Sequence, residues 1–173
     1  MPKLDKPTGG LIALDCETTG VDASHGALPF FVTTCDSDGN LLYWEWPVSP
    51  LTRKPIVPKF GLPIEDLDAI QYLIDTADEL VLQNSKFDAV MLAQLFAAHG
   101  RTLRWPWEKV HDTLVASHVL GSNLPHDLTA LGIQYLGVNI EKYEKALGEA
   151  CNEARRIVRR DFPTWRIASS ELG

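Results

Sequence analysis

Apolar residues in the first half of the chain fall into short runs and alternations. Leu11-Ile12-Ala13-Leu14 ends in the polar stretch Thr18-Thr19-Gly20, the pattern of a buried central strand. Pro29 to Cys35 carries Phe30, Phe31, Val32, Thr33 and Thr34, residue types that favour strands. Asp36-Ser37-Asp38-Gly39-Asn40 reads as a turn. Leu42, Trp44 and Trp46 then alternate with Tyr43 and Glu45, which predicts a strand paired with the one before it. These three segments form a meander. Between 47 and 63 five prolines recur. They reject helix interior and central strand alike and predict a loop inside the domain.

From Pro63 the period changes. Ile64, Leu67, Ile70 and Leu73-Ile74 recur at helical spacing. Glu79 to Gln83 predicts a short strand. Phe87, Val90-Met91 and Leu95 predict a second helix closed by Gly100. Trp105 to Val110 reads as irregular or a short strand. Asp112 to Leu120 and Asp127 to Leu136 read as two short helices. Tyr143, Leu147, Ala150, Ala154 and Ile157 step by four and three, giving a longer amphipathic helix. A meander followed by alternating helix and strand implies an α/β domain, with a mixed sheet and helices on its faces.

Composition narrows the class without deciding it. The chain has 173 residues, 45% apolar and 23% charged, a globular balance that argues for a single domain over 1–173. No apolar stretch reaches the roughly 20 residues a membrane span needs. The start, MPKLDKPTGG, lacks an apolar signal core. Cys16, Cys35 and Cys151 are odd in number and widely spaced, which excludes a disulfide framework and a four-cysteine zinc site. A reducing cytoplasm is the expected compartment. The net charge of -7 disfavours a basic coat for nucleic acid. It leaves room for an enzyme whose acids hold metal ions.

Candidate chemistry begins at Asp15-Cys16-Glu17. On a strand, residues i and i+2 share a face, so Asp15 and Glu17 set two carboxylates ~7 Å apart. Adjacent carboxylates repel unless a cation sits between them, and hard oxygen ligands suit Mg²⁺ or Mn²⁺. A strand end entering a polar turn explains the same residues without chemistry. Asn84-Ser85-Lys86-Phe87-Asp88 lies where a strand hands over to a helix. Asn84 or Ser85 suits the helix cap, and Asp88 suits the first turn, where the dipole favours an anion. Alternatively, Asp88 supplies a third carboxylate facing Asp15 and Glu17. Asp112 precedes an apolar run and suits an N-cap, or a supporting place behind the metals. Arg155, Arg156, Arg159, Arg160 and Arg166 form a basic cluster. It reads as a solvated helix end or as a contact for a phosphate backbone.

Taken together, these segments resemble a family. Leu14-Asp15-Cys16-Glu17-Thr18-Thr19-Gly20 looks like the first motif of the DnaQ-like (DEDD) 3′–5′ exonucleases. Asn84-x-x-x-Asp88 with Phe87 looks like the second. Asp112-Thr113, then Leu128-Thr129-Ala130-Leu131 and Tyr135-Leu136-Gly137, resemble the stretch that follows. That pattern is most similar to the proofreading domains of family A DNA polymerases, phage ones included. The third family motif, a Tyr or His followed by Asp on a late helix, has no counterpart. Neither Asp127 nor Asp161 has the required partner four or five residues before it. The sequence is therefore expected to lack the domain's last catalytic helix.

The resemblance implies a ribonuclease H-like sheet and two divalent ions, Mg²⁺ or Mn²⁺. It implies Asp15, Glu17 and Asp88 as catalytic and metal-holding residues. Thr18, Val21, Asn84 and Phe87 would lie near the terminal nucleotide, although Phe87 also suits the core. The implied partners are a single-stranded DNA 3′ end and a polymerase domain or downstream polypeptide, in a cytoplasm that would be the host's if the gene is phage-borne. Two rivals stay open: an inactive relative that binds DNA ends or a polymerase, and a ribonuclease H-type or junction endonuclease.

Overall fold

The computed structural model describes residues 9–49 and 64–161. Contacts divide the chain into two units, Met1–Leu124 and Pro125–Gly173. The first unit contains strands β1 (Leu11–Thr18), β2 (Pro29–Asp36) and β3 (Leu41–Glu45), helix α1 (Ile64–Thr76), strand β4 (Glu79–Leu82), helix α2 (Ser85–Ala98), strand β5 (Val110–Asp112) and helix α3 (Thr113–Leu120). The five strands form one mixed sheet in the order β3-β2-β1-β4-β5. β1 pairs antiparallel with β2, and β2 with β3. β1 and β4 run parallel, as do β4 and β5. The expected meander and α/β class are both present. The expected loop falls on residues 50–63 for most of its length, outside the described residues.

Alternation along β1 explains its central place. Ile12, Leu14 and Cys16 are buried, while Leu11, Asp15 and Glu17 are exposed. Their buried side joins Val32 of β2, Trp44 of β3 and Leu80 and Leu82 of β4 in one core. Helix α1 adds Leu67, Ile70, Leu73 and Ile74 at helical spacing, and α2 adds Leu92, Leu95 and Phe96. Each such side chain contributes roughly 1.5–3 kcal/mol by leaving water. The two tryptophans of the alternating segment, Trp44 and Trp46, are both buried. The indole N–H of Trp46 donates to Asp66 at 3.0 Å, tying the residue after β3 to the first turn of α1.

Local polar chemistry sets the ends of these elements. The Asp36 carboxylate accepts from the amides of Asp38 and Asn40 and from the Asn40 side chain, closing the β2–β3 turn. Lys109 donates to the carbonyls of Asp75 and Ala77, placing a cation at the carboxyl end of α1, where the dipole favours it. Gly100 takes φ +69 after α2, and the Arg101 amide returns to the Phe96 carbonyl. This is the expected glycine stop.

One register detail positions the site. β4 pairs with β1 only from Leu11 to Ala13, whereas β2 accompanies β1 as far as Thr18. The outer half of β1, with Asp15 and Glu17, therefore extends beyond β4. Helix α2 begins three residues after β4 ends, so its first turn comes to that open edge.

In the second unit, Asp127 caps a short helix, α4 (Leu128–Leu131), by accepting from the Ala130 amide. The chain continues as a π-helical turn over Gly132–Leu136, where the sequence predicts a plain helix. Helix α5 spans Glu141–Asp161. Its start is held by Asn139, which accepts from the Glu141 amide. Thr129 donates to Glu144 at 2.7 Å, joining α4 to α5.

Candidate functional site

The first two motifs meet at the open edge of β1. Asp15 and Glu17 project to the exposed side of the strand. Asp88, on the first turn of α2, is only 2% exposed. Its Oδ1 is buried and has no hydrogen-bond partner. Burial, and then the charge of Asp15, push the Asp88 carboxyl up to about 7, against a pull the other way from the Cys16 thiol and backbone. Partial desolvation and the same Asp15 charge raise Glu17. Asp15 thus acts on both of the other acids. Cys16 lies at the junction: burial pushes its thiol up, and the charges of Asp88, Asp15 and Glu17 add to that. It is a buried free thiol, poorly suited to act as a nucleophile.

Among the described residues, no three His, Cys, Asp or Glu side chains already converge tightly enough to hold a metal ion. The chemistry nevertheless suits a hard divalent cation. The donors are carboxylate oxygens, one of them is a buried acceptor without a partner, and the charges repel one another. A cation that relieves both the orphaned acceptor and the repulsion fits these residues. Asp15, Glu17 and Asp88 are the side chains that would hold it.

Asp112 behaves differently. Its carboxylate accepts from the amides of Leu114 and Val115, capping α3 as the sequence predicts. It also accepts from the amides of Asn84 and Ser85 and from the Ser85 hydroxyl at 2.8 Å. One aspartate therefore caps two helices. Asn84, one of the two expected caps of α2, makes no side-chain cap bond and takes φ +64. That cap is corrected by the structure: β5 ends beside β4, with Asp112 opposite Leu82, so its carboxylate reaches the α2 amides first. Burial works against the Asp112 charge, but the Ser85, Val115 and Asn84 bonds outweigh it and lower its pKa.

Three of the four residues expected near a nucleotide share one cleft of about 430 Å³. Val21 and residues 22–24 line one wall, and Asn84, Phe87, Val90 and Met91 the other, with Lys86 also on the lining. Val21 is 78% exposed and Phe87 is half-buried. Phe87 thus lines the cleft and is not among the side chains packed against the main core. Thr18 lies outside this lining, and its hydroxyl donates to the Gly20 carbonyl at 2.8 Å. Sequence reasoning missed Lys86, Val90 and Met91. The signal for Val90 and Met91 was the i+3, i+4 spacing from Phe87 along α2, and for Lys86 the i, i+4 spacing to Val90. It also missed the short turn Ala23–His25.

The basic cluster belongs to the end of α5. Arg156 donates to Glu153 and Arg160 to Asp161, both through two nitrogens. Asp161, the latest described acid, is thereby paired with its neighbour. Arg166 lies outside the described residues.

Fold and site together define a ribonuclease H-like α/β domain with a carboxylate group at the end of its first strand. Comparison with protein-family models gives no match, and comparison with curated proteins gives none either. Solved structures do match. Brucella melitensis NrnC with bound Mg²⁺ aligns over 81% of this chain and 60% of its own, with TM-score 0.57 and 21% identity. The same protein bound to pGG gives TM-score 0.56 at 21% identity. The POL domain of Pol1 from M. smegmatis, in complex with DNA primer-template and dNTP, aligns over 77% of this chain and 20% of its own, with TM-score 0.50 and 17% identity. The chain spans well under two-thirds of each of these neighbours. At such identities the likeness shows the fold. Among the described residues, no helix is long and apolar enough to cross a membrane.

Proposed function

We propose that this chain carries a metal-dependent 3′–5′ exonuclease site that removes 5′-mononucleotides from single-stranded DNA ends, as a proofreading module of a phage-type DNA polymerase. The observation that carries this is the buried, partnerless Asp88 oxygen within the field of Asp15. Two neighbours support it: NrnC was solved with Mg²⁺ and with pGG, and Pol1 with DNA primer-template. Divalent ions in such a site neutralise phosphate charge and acidify a water. The chain's own part is to hold and to seat. The Asp15 charge repels both Glu17 and Asp88, a repulsion that a shared cation would relieve. Asp88, with its carboxyl raised to about 7, would lose its proton to solvent on binding a cation. Val21 and Phe87 offer opposed surfaces for the terminal base, worth roughly 1–3 kcal/mol for an aromatic stack. The exposed Asn84 side chain stands beside them.

The third motif's Asp and its Tyr or His have no counterpart at family spacing in this sequence. A slow reaction is expected without them. The same gap, with the loose carboxylate geometry, favours a second reading, an inactive module that binds DNA ends or a polymerase.

The test is release of labelled 5′-mononucleotides from 3′-end-labelled single-stranded DNA in Mg²⁺ or Mn²⁺. The expected result is slow release that drops by on the order of 100-fold in Asp15→Ala, the scale of losing one charge-stabilising contact in a transition state, with a melting temperature no lower than that of the wild type. Equal rates in both proteins would refute the nuclease. DNA binding without cleavage, even at high Mn²⁺, would select the second reading. Internal cuts in an end-blocked strand would point to an endonuclease.

A further inference from the structure

Lys86 is unexplained by the fold. It stands in the first turn of α2, where the helix dipole disfavours a cation. It is exposed, lines the cleft, and pairs with no carboxylate among the described residues. The one acid on the cleft lining, Asp22, is turned to its own loop. It accepts from the Ser24 amide at 2.8 Å and the Ser24 hydroxyl at 2.6 Å, and it pairs with His25. The lysine is therefore a cation with nothing anionic to hold among the described residues.

The helix geometry says where its partner would sit. At 3.6 residues per turn, Lys86 and Asp88 lie about 200° apart around α2. Lys86 shares a row with Val90, and Phe87 shares the next with Met91, before Asp88 is reached on the far side. The apolar floor of the cleft thus separates the lysine from the carboxylates. A phosphate held on the Lys86 side of α2 is thus set apart, across the Phe87 row, from the one that the carboxylates would address. The intervening space is the right size for a nucleoside.

We propose that Lys86 holds a phosphate of the bound strand other than the one cleaved, so that the cleft recognises an oligonucleotide carrying a phosphate one step upstream of the reacting bond. This rests on the cleft being the seat of a strand end, as proposed above. The phosphate is either a strand's internal phosphodiester or the 5′-terminal phosphate of a dinucleotide, and both present the same anionic oxygens to the ammonium.

The experiment measures binding, not cleavage. Fluorescence anisotropy is recorded with Ca²⁺ in place of Mg²⁺ for three probes: a 5′-phosphorylated dinucleotide, the same dinucleotide without its 5′ phosphate, and a ten-nucleotide single strand. Lys86→Ala is expected to weaken the first and third about tenfold and to reduce the salt slope for the ten-mer by about 0.7, the share of one phosphate on a single strand. The unphosphorylated dinucleotide is expected to bind both proteins alike, and Lys86→Arg to restore most of the loss. Weakening of the phosphorylated dinucleotide alone assigns the lysine to a terminal phosphate and still supports the proposal. Equal binding of all three probes by wild type and Lys86→Ala overturns it. So does an equal loss for the unphosphorylated dinucleotide, since its one phosphate is the scissile one. Failure of the wild-type protein to bind any probe removes the strand-end reading along with it.

Discussion

Asp88 and Asp112 follow the carboxyl ends of neighbouring parallel strands, β4 and β5, and they live in opposite surroundings. Asp112 accepts five hydrogen bonds from four residues, and its pKa is lowered. Asp88 is the more deeply buried, has an oxygen with no partner, and is raised to about 7. Folding stabilises the charge on Asp112 and opposes the charge on Asp88. The same residue type, at the same edge of the sheet, is in one place a fastening and in the other a group with one oxygen left for an incoming ligand. A carboxylate kept buried and unpaired costs stability, which is why its presence points to function.

The largest effect separating the two is expected from Asp112→Ala. It removes the cap from α2 and α3 at once, and each lost cap costs about 1–2 kcal/mol. Urea denaturation is expected to show a loss of about 2–4 kcal/mol in total. A loss confined to a few tenths would mean that the two helices are held by packing alone, and the contrast with Asp88 would lose its force.

Asp88→Asn is expected to act in the opposite direction. The folded carboxyl titrates near 7 and the reference value is 3.8, so the folded state binds the extra proton between those values. Stability of the metal-free protein therefore falls as pH rises from about 4 to 7, and is flat above. The asparagine variant escapes that fall. Its gain is expected to be on the order of 2 kcal/mol at pH 8 in EDTA, shrinking toward nothing near pH 4. That is below the full linkage value because the new amide brings donors with no acceptors waiting. Asp112 has the reverse sign. Its lowered pKa adds stability above the reference value and loses it as pH falls through the folded one. Denaturation at pH 5, 6, 7 and 8 checks this. A variant less stable than wild type at pH 8 would show that the Cys16 contacts outweigh the burial of the charge.

Much of this corner was legible in the sequence, and what was not has a physical reason. The Asp15-x-Glu17 alternation at the end of an apolar run announces itself because strand periodicity is local. Asp88 in the first turn of an apolar helix is local in the same way. The double cap by Asp112 is not. It needs β5, a three-residue strand, to pair with β4 so that residue 112 reaches amides 27 and 28 positions earlier. Nothing in the sequence around Val110 signals that register. Likewise the field of Asp15 on Asp88 depends on β1 outrunning β4, a matter of pairing length rather than composition. The cleft escaped for a third reason. One of its walls is the loop after β1, whose shape depends on Asp22 gripping Ser24 and His25.

A smaller effect tests the cleft side of the comparison. Phe87→Ala is expected to raise the KM for single-stranded DNA, or weaken binding of a 3′ end, by about 1 kcal/mol, the lower end for an aromatic stack. The melting temperature is expected to fall only slightly, since the ring is half in the cleft already. A large fall in melting temperature with unchanged binding would assign Phe87 to the core instead.

The finest distinction lies at Asn84, which joins the two regions. Its amide is held by Asp112 at 3.1 Å, its side chain makes no cap bond, and its backbone takes φ +64. That left-handed conformation costs an ordinary L-residue roughly 1–2 kcal/mol, and asparagine and glycine less. Backbone and side chain therefore make separable contributions. Asn84→Gly keeps the turn and is expected to leave stability within about 0.5 kcal/mol of wild type, since glycine accepts positive φ without strain. Asn84→Ala is expected to lose about 1 kcal/mol, because a Cβ without asparagine's local polar contacts resists the same turn. Both variants lack the amide side chain beside the cleft, so both are expected to weaken strand binding alike. Thermal melts and anisotropy on the pair resolve the two roles. Equal stability of the glycine and alanine variants would mean that the turn relaxes away from φ +64, taking the Asn84 amide off Asp112 and dissolving the link between the fastening acid and the cleft.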